Sequence, residues 1–241
     1  MIYLRHLLIS GFLLIIISIV SFTNAVAQDA GNDTLSAVVT ENEGKWKPVL
    51  YGLRIGADLY YPVAHAINND LEQYEITADL DLGRYLLVVD YGIADYQIDH
   101  FSGSVMNING SYFRVGGDVN FNVKDPREFV MFVGLRYAQA FYDSEFNYIL
   151  EDDIFGTVNQ SDVDNGVTSR WFELDAGIKV MVLKNIFLGF TGRLRFLNRV
   201  KNASTNEAYR IPGFGVNDGS SWGFNYYVYY RIPFRKSQSN N

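Results

Sequence analysis

Trp222-Gly-Phe-Asn-Tyr-Tyr-Val-Tyr-Tyr-Arg-Ile-Pro-Phe234 carries two interleaved sets of residues. Trp222, Phe224, Tyr226, Val228, Tyr230 and Ile232 make one set; Gly223, Asn225, Tyr227, Tyr229 and Arg231 make the other. A period of two predicts a strand whose side chains alternate between faces. One face is apolar and aromatic, the other mixes glycine, amide, phenol and guanidinium. A soluble sheet would turn the apolar face into a core. A transmembrane barrel would turn it into lipid and keep the polar face for its lumen.

Seven more stretches upstream repeat the pattern. They are Val49–Tyr61, Leu71–Leu82, Tyr85 to about Asp95, Gly110–Val123, Glu128–Tyr142, Thr168–Val182 and Ile186–Phe196. Long connections (62–70, 96–109, 143–167 and 197–221) alternate with short ones around Gly83, Pro126 and Asn185. Long extracellular loops alternating with short periplasmic turns are the mark of an up-and-down membrane barrel. The fold expected is therefore all-β, an eight-stranded antiparallel transmembrane β-barrel over residues 48–234. An even strand number places both termini in the periplasm. A soluble eight-stranded barrel needs an apolar interior, and the more polar face of nearly every strand here bears charge.

The ends read differently. Residues 1–27 pair a basic Arg5 with an apolar run and a small-residue Ala25-Val26-Ala27 end, which predicts an export signal peptide. Residues 28–47, polar and without period, read as a flexible periplasmic lead-in, and residues 235–241 as a polar tail. The chain has no cysteine, which excludes disulfides, thiolate metal sites and a lipid-anchoring cysteine. Loss of the signal removes one arginine and no acid, moving the formal charge from −7 to −8 and arguing against nucleic acid as a partner. The 17 Tyr and 17 Phe suit the aromatic girdles of a lipid-facing wall. Outer-membrane lipid is the first partner expected, and the barrel-assembly machinery the second. Phe234, ending the last strand, looks like the C-terminal signal read by that machinery.

The inward positions carry acids Asp58, Glu75, Asp79, Asp90, Asp118, Glu173 and Asp175, and bases Arg54, Arg114, Arg136, Lys179, Arg193, Arg195 and Arg231. Signs that balance in a narrow barrel predict a structural network of pairs, because an unpaired charge in a poorly hydrated lumen is costly. An ion or proton path is the functional alternative, but eight strands leave an interior that side chains just fill. Inward glycines such as Gly56, Gly134 and Gly189 are expected to make room for long side chains crossing from opposite walls. Surplus acid collects in loop three, Asp143–Val167, read as a solvated loop or as strands projecting beyond the membrane. It contains no Asp-x-Asp-x-Asp-Gly calcium motif. In Arg210-Ile-Pro-Gly-Phe-Gly215 the phenylalanine needs burial, so Pro212 and Phe214 are expected to fold over the barrel mouth as a cap.

Catalysis finds little purchase. Past the signal the histidines are His65 and His100, both in predicted loops. Asp99-His100 with Ser102 or Ser104 superficially suggests a triad, but neighbours at one strand end do not converge on a point, and no Gly-x-Ser-x-Gly elbow is present. No metal or cofactor is implied.

The segments Tyr112-Phe-Arg-Val-Gly116, Phe132-Val-Gly-Leu-Arg-Tyr137, Lys184-Asn-Ile-Phe-Leu-Gly189, Arg210–Gly215 and Tyr230-Arg-Ile-Pro-Phe234 resemble a Bacteroidota family of outer-membrane β-barrels of unknown function. In architecture that family is similar to small barrels of the OmpA and OmpX type. The resemblance implies location in the cell outer membrane and the fold, with no catalytic residues to carry over. Three function classes are compatible with these readings: a non-enzymatic barrel serving envelope structure or surface interaction through its loops; an accessory subunit of a larger outer-membrane complex; and, last, an enzyme acting on lipid A or surface glycans.

Overall fold

The computed structural model describes residues 50–67, 71–99, 104–122, 128–152, 156–203 and 208–234. The signal peptide, the lead-in and the polar tail expected from sequence lie outside these residues, as does the turn around Pro126. The elements are β1 (Gly52–Asp58), α1 (Tyr60–Ile67), β2 (Leu71–Asp81), β3 (Tyr85–Asp99), β4 (Val105–Asn120), β5 (Phe129–Asp152), β6 (Gly156–Leu183), β7 (Ile186–Lys201), β8 (Arg210–Ile211), β9 (Gly215–Val216) and β10 (Ser220–Pro233).

Eight strands close in the order β1-β10-β7-β6-β5-β4-β3-β2, every neighbour antiparallel. The last strand closes on the first with Arg54 opposite Arg231 and Gly56 opposite Tyr229. The tight turns arise from local chemistry. At Leu82–Arg84 the Asp81 carboxylate accepts the Gly83 N–H at 2.9 Å and glycine supplies φ +89°. At Lys184-Asn185 the asparagine takes φ 66°, a conformation Asn tolerates better than most side chains.

Alternation is visible in burial. On β3, Leu86, Val88, Asp90 and Ala94 are buried while Leu87, Val89, Tyr91 and Ile93 are about half exposed on the outer wall. The same apolar belt runs through Ile76, Leu135, Phe172, Leu188 and Trp222. Water would not tolerate a continuous belt of that size, and lipid would. No helix among the described residues is long and apolar enough to cross a membrane, and the crossing is made by strands.

Three local expectations are corrected or narrowed. The first strand stops at Asp58 rather than Tyr61, and residues 60–67, expected as the end of that strand and the start of a long loop, form α1. The Asp58 carboxylate accepts the N–H groups of Tyr60 (3.2 Å) and Tyr61 (3.4 Å), while the Leu59 carbonyl takes the Val63 N–H at 3.3 Å. Pro62 sits in the first turn, where its missing N–H costs nothing. Second, of the two readings left open for loop three, projecting strands is the one found: β5 and β6 stay paired from Ser144↔Asp164 to Asp152↔Gly156, beyond a register shift at Tyr142/Ser144. Third, the inward glycines seat side chains of neighbouring strands rather than ones crossing the lumen. A Cβ at Gly56 would meet the Tyr229 ring, at Gly177 the Phe132 ring, and at Gly92 the Tyr112 ring, each glycine being the cross-strand partner of that residue.

Candidate functional site

The barrel lumen is the place where chemistry-bearing side chains converge. All fourteen charged positions singled out from sequence point into it, none more than 7% exposed. They stack in tiers along the axis.

In the tier beside the tight turns, Arg54 donates to Asp79 (2.7 Å) and Asp81 (3.2 Å), and Lys179 donates to Asp79 (2.6 Å). Arg231 lies 3.9 Å from Asp81. The Lys179 ammonium also sits 4.9 Å from the ring centres of Phe132 and Tyr229, so aromatic faces share its charge.

The middle tier is built on two glutamates. Glu75 accepts from Arg114 (2.6 Å), Arg193 (3.4 Å) and the hydroxyls of Tyr112 and Tyr227. Glu173 accepts from Trp171 Nε1 (2.6 Å), Arg114 (3.0 Å) and Arg193 (3.4 Å), with Arg195 at 3.5 Å. Arg136 reaches Asp90 (2.6 Å), Asp175 (2.8 Å) and Asp118 (3.4 Å). Bases and acids alternate, so each ion of this tier has an opposite charge within 4 Å, although some polar atoms, among them Asp90 Oδ1 and both Asp175 oxygens, make no hydrogen bond. Asp58 stands apart, its carboxylate capping α1.

The mouth-side tier is apolar and was not anticipated. Tyr96, Met106, Ile108, Tyr112, Ala138, Ala140, Tyr142, Val167 and Trp171 form one buried cluster with Ile211 and Phe214. Phe214 is fully buried, edge-on to Trp171 at 5.6 Å between centroids. Arg195 donates to the Phe214 carbonyl and Arg114 to the Gly213 carbonyl, both at 2.8 Å. The β8–β9 hairpin is thus tied by its backbone to the charged tier and by its side chains to the apolar one. Pro212 is buried at the turn, where Gly213 takes φ +75° against the Tyr112 ring.

Sequence reasoning missed Asp81, which joins Arg54 to Arg231, and Gln73, which accepts from Tyr96 OH and donates to Tyr112 OH at 2.8 Å. Both continue the inward set of β2, so the two-residue period was a sufficient signal for them. His65 lies on α1, half-buried; His100 and Ser102 lie outside the described residues. Among the described residues no group of three or more His, Asp or Glu is placed to hold a metal ion.

On the outer wall, Glu72, Asp95, Asn109 and Asp143 form a straight cross-strand row over β2 to β5. Beneath it a groove of about 560 Å³ lies between Tyr74, Ile93 and Phe141, floored by Ser111.

The family described as a domain of unknown function (DUF6048) matches residues 6–237, so the chain belongs to that family. No curated protein matches it. Among solved structures it is similar to Ail, the attachment invasion locus protein of Yersinia pestis, crystallised with the heparin analogue sucrose octasulfate. The identity is 10%, covering 76% of this chain and 95% of that one, with a TM-score of 0.37. It is similar also to Neisserial surface protein A (13% identity, 77% and 97% covered, TM-score 0.39) and to Acinetobacter baumannii CarO (11% identity, 79% and 100% covered, TM-score 0.38).

Proposed function

We propose that this member of the family is a closed, non-enzymatic barrel of the outer membrane, of a Bacteroidota cell by its strand motifs. It is exported by the signal at residues 1–27 and holds both termini in the periplasm. Its working part is the surface presented beyond the membrane. The observation that carries this reading is the packing of the lumen. Salt-bridged tiers fill it from the turns upward, and the Ile211–Phe214 hairpin with Trp171 fills the mouth. Such packing supports a structural role for the charged network and a cap role for Pro212 and Phe214 rather than a path for ions. The longest strands, β5 and β6, carry on past that plug as a hairpin. A barrel sealed inside and extended outside fits display and interaction.

Purified protein in planar bilayers tests the reading. Stable, voltage-independent conductance of the wild-type barrel would overturn it; a silent wild type and a conducting variant with Ile211–Phe214 replaced by Gly-Ser residues would support it.

The groove beneath Glu72, Asp95 and Asp143 favours a second reading, an accessory subunit that seats a neighbour on its lipid-facing wall. A stoichiometric partner retained in mild detergent, and lost on Ser111→Trp, would establish that role.

A further inference from the structure

The rim of the barrel is uneven. Strand β7 ends at Lys201, paired with Thr168 of β6. From Val167 back to Gly156, β6 continues with β5 on one side and, among the described residues, no strand on the other. Strand β5 likewise runs past Asn147, the last residue that β4 reaches. Gly166 is already engaged, its carbonyl accepting from Asn202 Nδ2 at 3.2 Å and its N–H donating to Asp143 at 2.6 Å, so among the described residues the backbone groups left facing outward at the β6 edge lie between Gly156 and Asn165, a template for another strand.

Charge restricts what can use it. From Asp143 to Val167 the chain holds seven acids (Asp143, Glu145, Glu151, Asp152, Asp153, Asp162 and Asp164) and no lysine or arginine. Edge-to-edge pairing with a second copy of this hairpin would set acids against acids, which is destabilising. The same charges favour a basic strand. Asp162 and Asp164 project from one face of β6, and Phe146, opposite Asp162, stacks with Tyr148 at 5.2 Å on that face of β5. Basic side chains at every second position of an added strand would fall beside these carboxylates.

We propose that the β6 edge between Gly156 and Asn165 is a strand-addition site for an extended polypeptide bearing Lys or Arg at alternate positions. The proposal rests on the reading of the projecting hairpin as the interaction surface and names its class of partner. Backbone pairing supplies affinity, and the alternating charge supplies selectivity.

The test uses the full-length barrel in uncharged detergent and a labelled peptide of about twelve residues alternating Lys and Val, a length one added strand can occupy. Fluorescence anisotropy should show binding that weakens on the order of tenfold between about 0.05 and about 0.5 M salt. The Glu-for-Lys peptide should not bind, and the D162N/D164N variant should bind the basic peptide several-fold more weakly. Two further peptides carry N-methyl groups along one strand edge or the other; one should lose binding and the other keep it. Hydrogen exchange should slow at amides within residues 156–165. Absence of binding, equal binding of both N-methylated peptides, or protection elsewhere would overturn the proposal. None of these outcomes touches the sealed lumen, which bilayer conductance tests separately.

Discussion

Glu75→Gln is the sharpest probe of the lumen. The side chain keeps its shape and loses its charge, while donors from three strands still converge on it: Tyr112 and Arg114 from β4, Arg193 from β7 and Tyr227 from β10. Removing one partner from a buried ion network costs about 3–5 kcal/mol, because the remaining charge stays buried without compensation. Glu173 still lies 3.0 Å from Arg114 and 3.4 Å from Arg193, so the lower end of that range, about 3 kcal/mol, applies here. With a urea slope of about 2 kcal/mol/M, the unfolding midpoint should fall by about 1.5 M. The assay is reversible urea titration of the barrel refolded into lipid vesicles, followed by tryptophan fluorescence in both directions. A shift below about 0.3 M would mean that water screens the lumen charges, and the sealed-barrel account would fail with it. Pairing E75Q with R114M should recover part of the loss, since the second change removes the charge the first one stranded.

Four further substitutions probe other layers. Phe214→Ala removes a buried ring from its place against Trp171 and should cost about 3–4 kcal/mol, with the tryptophan becoming more accessible to acrylamide; an unchanged quenching constant would refute the plug. Gly92→Ala drives a Cβ into the Tyr112 ring and should cost roughly 1–3 kcal/mol, whereas Gly117→Ala, whose nearest neighbour is the Leu86 carbonyl at 3.6 Å, should be tolerated; equal effects would remove the glycine–aromatic argument. Phe234→Asp places a carboxylate at the rim of the outer wall, where the thermodynamic penalty is only about 0–1 kcal/mol, so a several-fold loss of inserted barrel in membrane fractions would come from assembly recognition, and undiminished levels would deny Phe234 that role.

The barrel was legible because eight segments share one period and their connections alternate in length. The inward charges were legible for the same reason. The mouth-side core was not, and its cause can be located. From Val89 through Ile93, β3 sends its apolar residues outward and keeps Asp90 and Gly92 inside; from Ala94 on, Ala94 and Tyr96 are buried while Asp95, Gln97 and Asp99 are exposed. On β4, Met106 and Ile108 are buried between the exposed Asn107 and Asn109. The alternation persists and its polarity inverts, because the wall there faces water rather than lipid and the interior becomes the only apolar refuge. A reading that tracks apolar residues on one face ends the strand at that inversion, at Asp95 and Gly110, and takes the residues between for loop. The helix α1 was hidden in another way: Leu59 and Tyr61 extend the alternation by two residues, while the Asp58 cap turns the backbone.

Alternation also leaves something undetermined that the lumen supplies. A slip of two residues between neighbouring strands keeps every apolar side chain in lipid, so the outward pattern cannot choose among such registers. The inward pairs can. Sliding β1 against β2 by two residues would carry Arg54 away from Asp79, its cross-strand partner, and leave that buried carboxylate to Lys179 alone. Sliding β3 against β4 would separate Asp90 from Arg114 and drive Tyr112 off Gly92 onto a residue with a side chain. Buried ion pairs are weak evidence of stability against an apolar alternative, but the difference between a paired and a stranded buried charge amounts to several kcal/mol. The tiers therefore select one register among several that lipid alone would accept. That role needs no substrate and no current, and it accounts for why charge is placed at levels where a sealed eight-stranded barrel could have been filled with apolar residues, as it is near the mouth.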